Sequence, residues 1–507
     1  MGWGGSNTFG RCYNPHMVNE SLRPSRFTIA VVGGGLAGLS AVEHLVRSGW
    51  LDNGVNVELF ERRRVAGGRA GSFAADDGRA VDYCQHVAMG CCDEFLSLMR
   101  RCGLIDAFRR DDELTFVHPE HPPSRFRPSR WLPPPLHLAP TVIAMRYLNV
   151  REKIRLVKTL RRLIKASPDA LRTRRAGDWL REQGQTERII TRFWEPILVS
   201  ALGERIDAVS MAVSRKVIVD GFAARRGASD VWVPRRPLSE LFGESLVSHL
   251  EQRGASVRTG TTVRQIVAED AGFRLRIDGG SDRGVDGGSD RRVDAVVLAV
   301  PWHQIDAILH PSLRAKIASP TSFADVAAAP ITGIHMWFDR PVLDRPHVVS
   351  LDTLTQWVFA DPIDDLSSRR QIDDFSTRGH YVQVVVSASH ELRRPSVNRD
   401  AIIDQVVDEV SGIAATLLPD QPAPRLLEAK VVTDPRSVYS LTPAVDGLRP
   451  ATRTGHPRLV LAGDFVQTGW PATMEGAVIS GRMAAEAFDG VQIGHATDSP
   501  MGGAIFP

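Results

Sequence analysis

The amino-acid sequence predicts an α/β fold that contains a Rossmann-like dinucleotide-binding unit near its start. An apolar, β-branched run at residues 29–32 is typical of a buried parallel strand. The glycines Gly33, Gly35 and Gly38 follow at the GxGxxG spacing, and an apolar pattern of helical period comes next. A second apolar run ends in Glu61, 23 residues after Gly38, where an acid accepts hydrogen bonds from an adenosine ribose.

Each part of this unit has a physical role. Gly33 permits a tight turn, Gly35 lets a pyrophosphate approach the backbone, and Gly38 allows the helix and strand to pack closely. The helix begins near Leu36 and Ala37, where unpaired N–H groups favour negatively charged phosphates. Because strand, turn, helix and acid all occur in one unit, the sequence predicts a dinucleotide site rather than an isolated glycine turn.

Two further motifs indicate which dinucleotide is bound. Residues 65–72 form a GG-R segment, and residues 461–465 (LAGDF) precede a helical segment that contains EGA. Together they resemble the flavin-containing amine oxidase and phytoene desaturase superfamily, in which both segments embrace FAD. The resemblance extends over residues 27–488 and implies FAD as the cofactor. Beyond the glycine-rich unit, the cofactor-binding residues that it implies are Arg62, Gly68, Arg69, Val263, Ala299, Gly463, Asp464, Trp470, Met474, Glu475 and Ala477.

The resemblance also implies a discontinuous, GR2-type FAD-binding domain with an inserted α+β substrate domain. A chain of 507 residues is longer than one hydrophobic core usually accommodates. The expected segments are a disordered leader (1–25), the FAD-binding domain (26–105, 234–303 and 456–490), the substrate domain (106–233 and 304–455) and a disordered tail (491–507).

Local patterns predict the remaining elements. Helices are expected at 238–251 and 401–417, a strand pair at 255–267, and strands at 294–301, 331–338 and 381–387. The proline-rich residues 118–140 predict no regular element. Two near-identical octapeptides, at 279–286 and 287–294, predict an exposed hairpin tip.

Composition excludes several classes of protein. The net charge of +3 is too small to indicate nucleic-acid binding, and no apolar run is long enough to cross a membrane. Five cysteines in 507 residues are typical of a reducing, cytoplasmic location. Cys84, His86, Cys91 and Cys92 match no zinc-binding spacing, so we predict no metal site.

Residues 151–165 predict a basic amphipathic helix with two possible roles. Its apolar side contains Ile154, Val157, Leu160 and Ile164. In one interpretation this side packs on the substrate domain and the basic residues are solvated. In the other, the helix rests on anionic lipid beside the apolar residues 131–138, and the protein is peripheral at the inner membrane.

Residues 82–86 (DYCQH) provide the candidate catalytic residues. They resemble a D-x-G-Q-H-type segment near the flavin of squalene-associated members of the superfamily, with Cys84 in place of the glycine. We predict His86 as a proton donor and Asp82 as its orienting partner.

Two more motifs, WEP at 194–196 and QWVF at 356–359, resemble the same squalene-associated FAD-dependent desaturase family. This resemblance implies a long apolar isoprenoid substrate and reductive dehydroxylation of hydroxysqualene to squalene. Departure of the hydroxyl group near neutral pH requires a proton donor. No second dinucleotide fingerprint is present, so the electron donor is unknown.

Three alternatives stay open. A carotenoid-type desaturase would act on phytoene or dehydrosqualene with the same cofactor in the opposite redox direction. An amine oxidase is disfavoured because residues 331–338 lack the lysine that such enzymes usually carry there. A non-catalytic prenyl-lipid-binding protein is disfavoured by the intact Arg69, Asp464 and Glu475.

Overall fold

The computed structural model describes residues 27–74, 78, 80–278, 289–318, 322–360, 379–394 and 396–489. The predicted leader (1–25), the predicted tail (491–507) and the first octapeptide (279–286) lie outside the described residues.

The described residues form both strands and α-helices. In chain order the strands are β1 (Thr28–Val32), β2 (Asn56–Phe60), β3 (Ser72–Ala74), β4 (Ala80–Asp82), β5 (Ala88–Met89), β6 (Phe108–Asp111), β7 (Leu114–His118), β8 (His121–Phe126), β9 (Val231–Pro234), β10 (Ser256–Arg258), β11 (Thr262–Glu269), β12 (Gly272–Asp278), β13 (Ser289–Val293), β14 (Ala295–Leu298), β15 (Ala328–Phe338), β16 (His347–Ser350), β17 (Trp357–Ala360), β18 (His380–Ser387), β19 (Leu426–Tyr439) and β20 (Leu459–Leu461). The α-helices are α1 (Leu36–Arg47), α2 (Asp93–Arg101), α3 (Ala139–Ala144), α4 (Val150–Lys165), α5 (Pro168–Leu171), α6 (Ala176–Glu182), α7 (Glu187–Ile189), α8 (Glu195–Leu202), α9 (Met211–Ile218), α10 (Val247–Gln252), α11 (Ile305–Ile308), α12 (Pro311–Arg314), α13 (Arg399–Leu417), α14 (Pro443–Asp446) and α15 (Met474–Glu486).

A five-stranded parallel sheet carries the nucleotide-binding unit. Its strand order is β10-β2-β1-β14-β20, so it is assembled from distant parts of the chain. Both β1 and β14 are buried along their whole length, as their uninterrupted apolar runs predict. The α/β fold class with a Rossmann-like sheet is therefore confirmed.

Helices α1 and α15 pack against each other beside this sheet. The Ser40 hydroxyl of α1 donates to the Val478 carbonyl of α15 at 2.9 Å. A Cβ atom on Gly481 would lie 2.8 Å from both the Ala41 nitrogen and the Ser40 Cβ. The C-terminal helix can therefore reach the nucleotide-binding helix only because this position has no side chain.

A seven-stranded sheet, β19-β15-β18-β17-β16-β7-β8, forms the second large layer. Its pairs are antiparallel except for β16 and β7. Helix α13 has Ile402, Val406 and Val410 on its buried side. The strands predicted at 331–338 and 381–387 and the helix predicted at 401–417 are confirmed as β15, β18 and α13.

Two local predictions were wrong. Residues 118–140 do contain a regular element, because β8 pairs with β7 at the edge of the seven-stranded sheet. An edge strand tolerates Pro122 and Pro123, which cannot donate backbone hydrogen bonds. Residues 255–267 do not form a strand pair: β10 joins the five-stranded sheet, and β11 pairs with β12.

Helix α4 is confirmed, but its buried face differs from the predicted one. The buried side chains are Glu152, Leu156, Thr159 and Leu163, and Ile154 is exposed. Asn149 begins the helix with a capping box in which it exchanges hydrogen bonds with Glu152. Among the residues that the structure describes, no helix is long and apolar enough to cross a bilayer.

Candidate active site

The glycine turn after β1 has the open geometry that a dinucleotide needs. Gly33 has φ +113°, and a Cβ atom there would lie 2.5 Å from the Ala299 carbonyl oxygen. A Cβ atom on Gly38 would clash with the Gly33 carbonyl. At Gly35, by contrast, the nearest atom would be the Gly68 Cα at 4.0 Å, so one side of the turn is open.

Helix α1 begins at this turn without a capping side chain. Gly35 is its N-cap residue, and the first turn, which starts with Leu36 and Ala37, contains no acidic residue. Its N-terminal N–H groups therefore have no side-chain acceptor and are suited to phosphate oxygens.

Glu61 lies at the end of β2, directly against the glycine turn. Its carboxylate accepts a hydrogen bond from the Gly34 N–H and another from the Arg63 N–H, both at 2.7 Å. The side chain is buried. The neighbouring Arg62 is exposed, and Val263 is buried at the start of β11. This geometry is compatible with ribose binding by Glu61; the roles of Arg62 and Val263 stay predictions.

An ion pair joins the GG-R segment to the C-terminal motif. The Arg69 guanidinium lies 2.6 Å from the Asp464 carboxylate and also donates to the Ser437 carbonyl at 2.6 Å. It lies 5.4 Å from the centre of the Trp302 ring. Two motifs that are far apart in the sequence therefore meet beside the open glycine turn.

Arg449 holds the same C-terminal motif and was not identified from the sequence. Its buried guanidinium donates to the backbone carbonyls of Asp464, Val466 and Trp470 at 2.6–2.9 Å. Gly463, with φ +150°, donates its N–H to the Ser480 hydroxyl. No sequence pattern pointed to Arg449, because it is one arginine among many and lies outside every motif.

Glu475 has a structural role that the sequence did not reveal. Its carboxylate accepts hydrogen bonds from the N–H groups of Glu94 and Phe95, at the start of α2. Burial raises the pKa of Glu475 to about 7. The carboxylate is thus engaged with α2, so a flavin contact from Glu475 would come from its backbone. Met474 and Ala477 lie on the same first turns of α15.

The predicted pairing of Asp82 with His86 is wrong. The Asp82 carboxylate accepts hydrogen bonds from the Ser72 hydroxyl and the Leu238 N–H at 2.7 and 2.8 Å. His86 instead donates from Nδ1 to the Cys84 carbonyl at 2.7 Å. A backbone carbonyl two residues away can orient the ring equally well, and sequence patterns do not report such a contact.

The protonation of these two groups follows from burial. Burial raises the pKa of Asp82 to about 6. Burial, and secondarily the nearby Arg69 guanidinium, lower the pKa of His86. His86 is therefore mostly neutral near pH 7. Its Nδ1 carries the proton and donates it in a hydrogen bond to the Cys84 carbonyl, and its Nε2 has a free lone pair.

A second histidine, His335 on β15, adjoins this segment. Its Nδ1 lies 2.8 Å from the Tyr381 hydroxyl and 3.2 Å from the Gln383 amide nitrogen. Gln383 also donates to the Asp82 carbonyl at 3.0 Å, which connects the sheet to the candidate catalytic segment. The buried Nε2 atom of His335 has no hydrogen-bond partner among the described residues.

A lysine does lie next to β15, although β15 was expected to lack the lysine typical of amine oxidases. Strand β15 contains no lysine, but Lys430 on β19 is the register partner of His335, on the same face of the sheet. Its ammonium lies 4.7 Å from the centre of the Phe73 ring. Burial and Lys430 together lower the pKa of His335 to about 4. Sequence reasoning missed the lysine because only strand pairing brings it opposite β15.

The QWVF motif contacts α8, the helix in which the WEP motif ends. The Trp357 indole N–H of the QWVF motif donates to the Ser200 hydroxyl on α8, the helix that begins with the WEP glutamate, at 2.8 Å. The Trp357 and Phe359 rings stack at 5.5 Å, and Trp194 is fully buried. A π-helical turn, Ile190–Trp194, precedes α8. The two stacked rings of Trp357 and Phe359 form an aromatic wall next to α8.

One group of potential metal ligands lies outside this site. Side-chain atoms of His118, Glu120 and His121 lie within 4.8 Å of one another. His118 is hydrogen-bonded to Asp352, and Arg192 pairs with the same carboxylate and lies 3.4 Å from His121. Since the Arg192 guanidinium already pairs with the Asp352 carboxylate beside these histidines, we assign no metal to this group.

The described residues fit FAD on structural grounds. The glycine turn is open, α1 is uncapped, and the Arg69–Asp464 pair lies beside both. Three buried polar atoms near residues 82–86 have no hydrogen-bond partner among the described residues: Gln85 Nε2, His335 Nε2 and Gln383 Oε1. The position of Trp470 over the isoalloxazine ring stays a prediction.

Comparisons with known proteins agree with this description. Residues 36–488 match the family of flavin containing amine oxidoreductases. A 15-cis-phytoene desaturase of Solanum lycopersicum is 26% identical over 92% of this chain and 78% of its own length. A hydroxysqualene dehydroxylase of Sinorhizobium fredii is 28% identical over 90% of this chain and 97% of its own length. An oxidoreductase from Methanosarcina mazei has the same fold, with a TM-score of 0.64, 16% identity and coverage of 91% of this chain and 100% of its own.

Proposed function

Because the chain belongs to the flavin containing amine oxidoreductase family and is an FAD-dependent oxidoreductase, we propose that it removes the hydroxyl group of hydroxysqualene to give squalene. When bound, FAD supplies two-electron redox chemistry. In the proposed reaction the allylic carbon–oxygen bond breaks, and the hydroxyl group takes up a proton and leaves as water. The carbon gains a hydride equivalent, which reduced FAD would supply while being oxidised.

The observation that carries this proposal is the contact between the QWVF motif and the helix in which the WEP motif ends. Both motifs resemble the squalene-associated family, and Trp357 donates a hydrogen bond to Ser200 on that helix. We infer that the aromatic wall of Trp357 and Phe359 binds the C30 chain and helps to exclude water from the reacting carbon. The similarity to a hydroxysqualene dehydroxylase over nearly its whole length supports the same substrate.

A carotenoid-type desaturase is the second candidate, and the similarity to phytoene desaturases favours it. It would use the same apolar wall with the redox direction reversed. The two candidates differ in what they require of the protein: dehydroxylation needs a proton donor, whereas desaturation needs a proton acceptor or none.

The direct test is anaerobic incubation of the chemically reduced enzyme with hydroxysqualene. We expect flavin reoxidation, followed by its absorbance, to match squalene formation measured by mass spectrometry. The oxidised enzyme with phytoene or dehydrosqualene is the parallel assay. Turnover only in the parallel assay would overturn the dehydroxylase assignment and support the desaturase.

The pH dependence tests the role of His86. Since burial keeps the pKa of His86 below its usual range, the donating imidazolium becomes more abundant as pH falls through 6.5 and below. If His86 donates the proton, single-turnover dehydroxylation accelerates on acidification, and His86→Gln abolishes this acceleration. A pH profile that His86→Gln leaves unchanged would remove His86 from the mechanism.

A further inference from the structure

The surface between residues 131 and 154 exposes an unusual amount of apolar side chain. Eight large apolar side chains are exposed among the described residues, and six of them lie in this short stretch. Trp131 is 90% exposed and Ile143 is 74% exposed. We define this as the 131–154 surface; its apolar members are Trp131, Leu132, Leu136, Ile143, Val150 and Ile154.

The loop that presents Trp131 is held in place by hydrogen bonds. The Ser129 hydroxyl accepts from the N–H groups of Trp131 and Leu132, and the Ser129 N–H donates to the His137 carbonyl. Arg226 donates to the carbonyls of Trp131 and Leu132, both at 3.0 Å. These hydrogen bonds therefore hold the loop in the conformation that exposes Trp131.

Hydrogen bonds also connect this loop region to the start of α4. The Lys153 ammonium donates to the Ile143 carbonyl at 2.7 Å, which ties the end of α3 to the first turn of α4. Val150 and Ile154 are one turn apart on the exposed side of α4. The apolar residues of α3 and α4 therefore form one continuous surface.

The same exposed side of α4 is strongly cationic. Its exposed basic residues are Arg151, Arg155, Lys158, Arg161, Arg162 and Lys165. The only acid of α4, Glu152, is buried in the capping box. Lys158, Arg161 and Lys165 form no ion pair with the described residues, and they continue the face on which Val150 and Ile154 lie. Apolar side chains are thus bordered by unpaired positive charge.

From this combination we propose that the 131–154 surface docks on a lipid bilayer that contains anionic lipids. Trp131, Leu136 and Ile143 enter the boundary between headgroups and acyl chains, where tryptophan is preferred. The cations of α4 attract the anionic headgroups. A symmetric contact with a second copy is disfavoured, because it would bring the cations of two α4 helices together.

Docking at this surface goes beyond the proposed reaction and does not depend on it. The aromatic rings of Phe116, Phe126, Tyr147 and Phe222 are packed against one another at 5.8–6.3 Å in the core that underlies this region. A bilayer on the 131–154 surface would therefore lie over this aromatic core.

The test is co-sedimentation of the FAD-loaded protein with vesicles of phosphatidylcholine alone or mixed with phosphatidylglycerol. We expect binding to mixed vesicles at low salt and release at high salt. The triple variant Lys158→Gln, Arg161→Gln, Lys165→Gln should lower the partition coefficient on the order of 100-fold. The double variant Trp131→Ser, Ile143→Ser should lower it on the order of tenfold or more.

Leu427→Ser, at an exposed apolar residue on β19, is the matched control and should bind as the parent does. Flavin absorbance and far-ultraviolet circular dichroism establish that each variant is folded. Two results would overturn the proposal: no vesicle binding by the parent, or binding that the double variant does not weaken. Self-association that the double variant abolishes, without vesicle binding, would instead assign the surface to a second copy of the chain.

Discussion

Arg69 and Asp464 connect the two motifs on which the flavin assignment rests. The Asp464 side chain is almost fully buried, whereas Arg69 keeps about a third of its exposure. Arg69→Gln would leave a buried carboxylate without its cation, at a cost of about 1–3 kcal/mol after allowance for solvent screening at Arg69. The same change also removes the contact between the GG-R segment and the C-terminal motif beside the glycine turn.

We therefore expect Arg69→Gln to lose most of its FAD, measured as the ratio of flavin to protein absorbance after purification. Arg172→Gln is the control, since Arg172 pairs with Asp169 on the open surface and should cost at most about 0.5 kcal/mol. Full FAD content in Arg69→Gln would mean that the ion pair does not hold the cofactor site together.

A second prediction about a single residue concerns the role of His335 in turnover. Its hydrogen bonds with Tyr381 and Gln383, and the bond from Gln383 to the Asp82 carbonyl, indicate a positioning role beside the candidate catalytic segment. We expect His335→Gln to lower turnover on the order of 10–100-fold, as for loss of a positioned polar group, while FAD content is kept.

His118→Gln is the matched control for His335→Gln. His118 is also buried in the seven-stranded sheet, where it is hydrogen-bonded to Asp352. Both changes should lower the free energy of unfolding by about 1–3 kcal/mol, because each leaves a buried partner unsatisfied. Equal turnover in the two variants would show that His335 matters only for folding.

At the scale of elements, the close packing of α1 and α15 places the C-terminal helix beside the glycine turn. Gly481 makes this possible, since any Cβ atom there would meet the Ala37, Ser40 and Ala41 backbone or side chain. We expect Gly481→Ala to separate the helices, to lower the free energy of unfolding by about 1–3 kcal/mol and to reduce FAD content.

Gly412 is a position in another helix at which replacement of glycine by alanine should stabilise the protein. It lies within α13, and a Cβ atom there would meet nothing within 4 Å. Gly412→Ala should therefore stabilise the protein by up to about 1 kcal/mol through helix propensity. Chemical denaturation of both variants separates the two effects; stabilisation by Gly481→Ala would contradict the packing argument.

At the scale of the whole molecule, the predicted cofactor site is assembled from three distant parts of the chain. The glycine turn and Arg69 come from the first, Ala299 from the second, and Asp464 with α15 from the third. A ligand that contacts all three should stabilise the native state by mass action, by about 2.7 kcal/mol at one hundred times its dissociation constant.

Thermal denaturation of the apoprotein with added FAD, or with added ADP, measures this linkage. FAD should raise the midpoint of denaturation. ADP lacks the flavin and is expected to contact only the glycine turn and Glu61, so it should raise the midpoint less. Equal effects of FAD and ADP would show that the C-terminal segment does not contribute to binding.

The sequence alone determined the fold class, the glycine turn and, through the resemblance of residues 65–72 and 461–465 to a known superfamily, the FAD assignment. The fold class and the turn depend on local patterns, because apolar runs predict strands and glycine spacing predicts a turn. For the same reason α13, β15 and β18 were predicted correctly. The proline-rich β8 was missed, because edge strands tolerate residues that normally indicate a loop.

Only the tertiary structure decided which side chains share an environment. His86 is oriented by the Cys84 carbonyl instead of Asp82, Glu475 caps α2, and Lys430 stands opposite His335. Helical period identified α4, but its exposed face, which carries Val150 and Ile154, depends on what the rest of the chain covers. Contacts between distant residues and the burial that shifts their pKa values arise only when the chain is packed, so local sequence does not contain them.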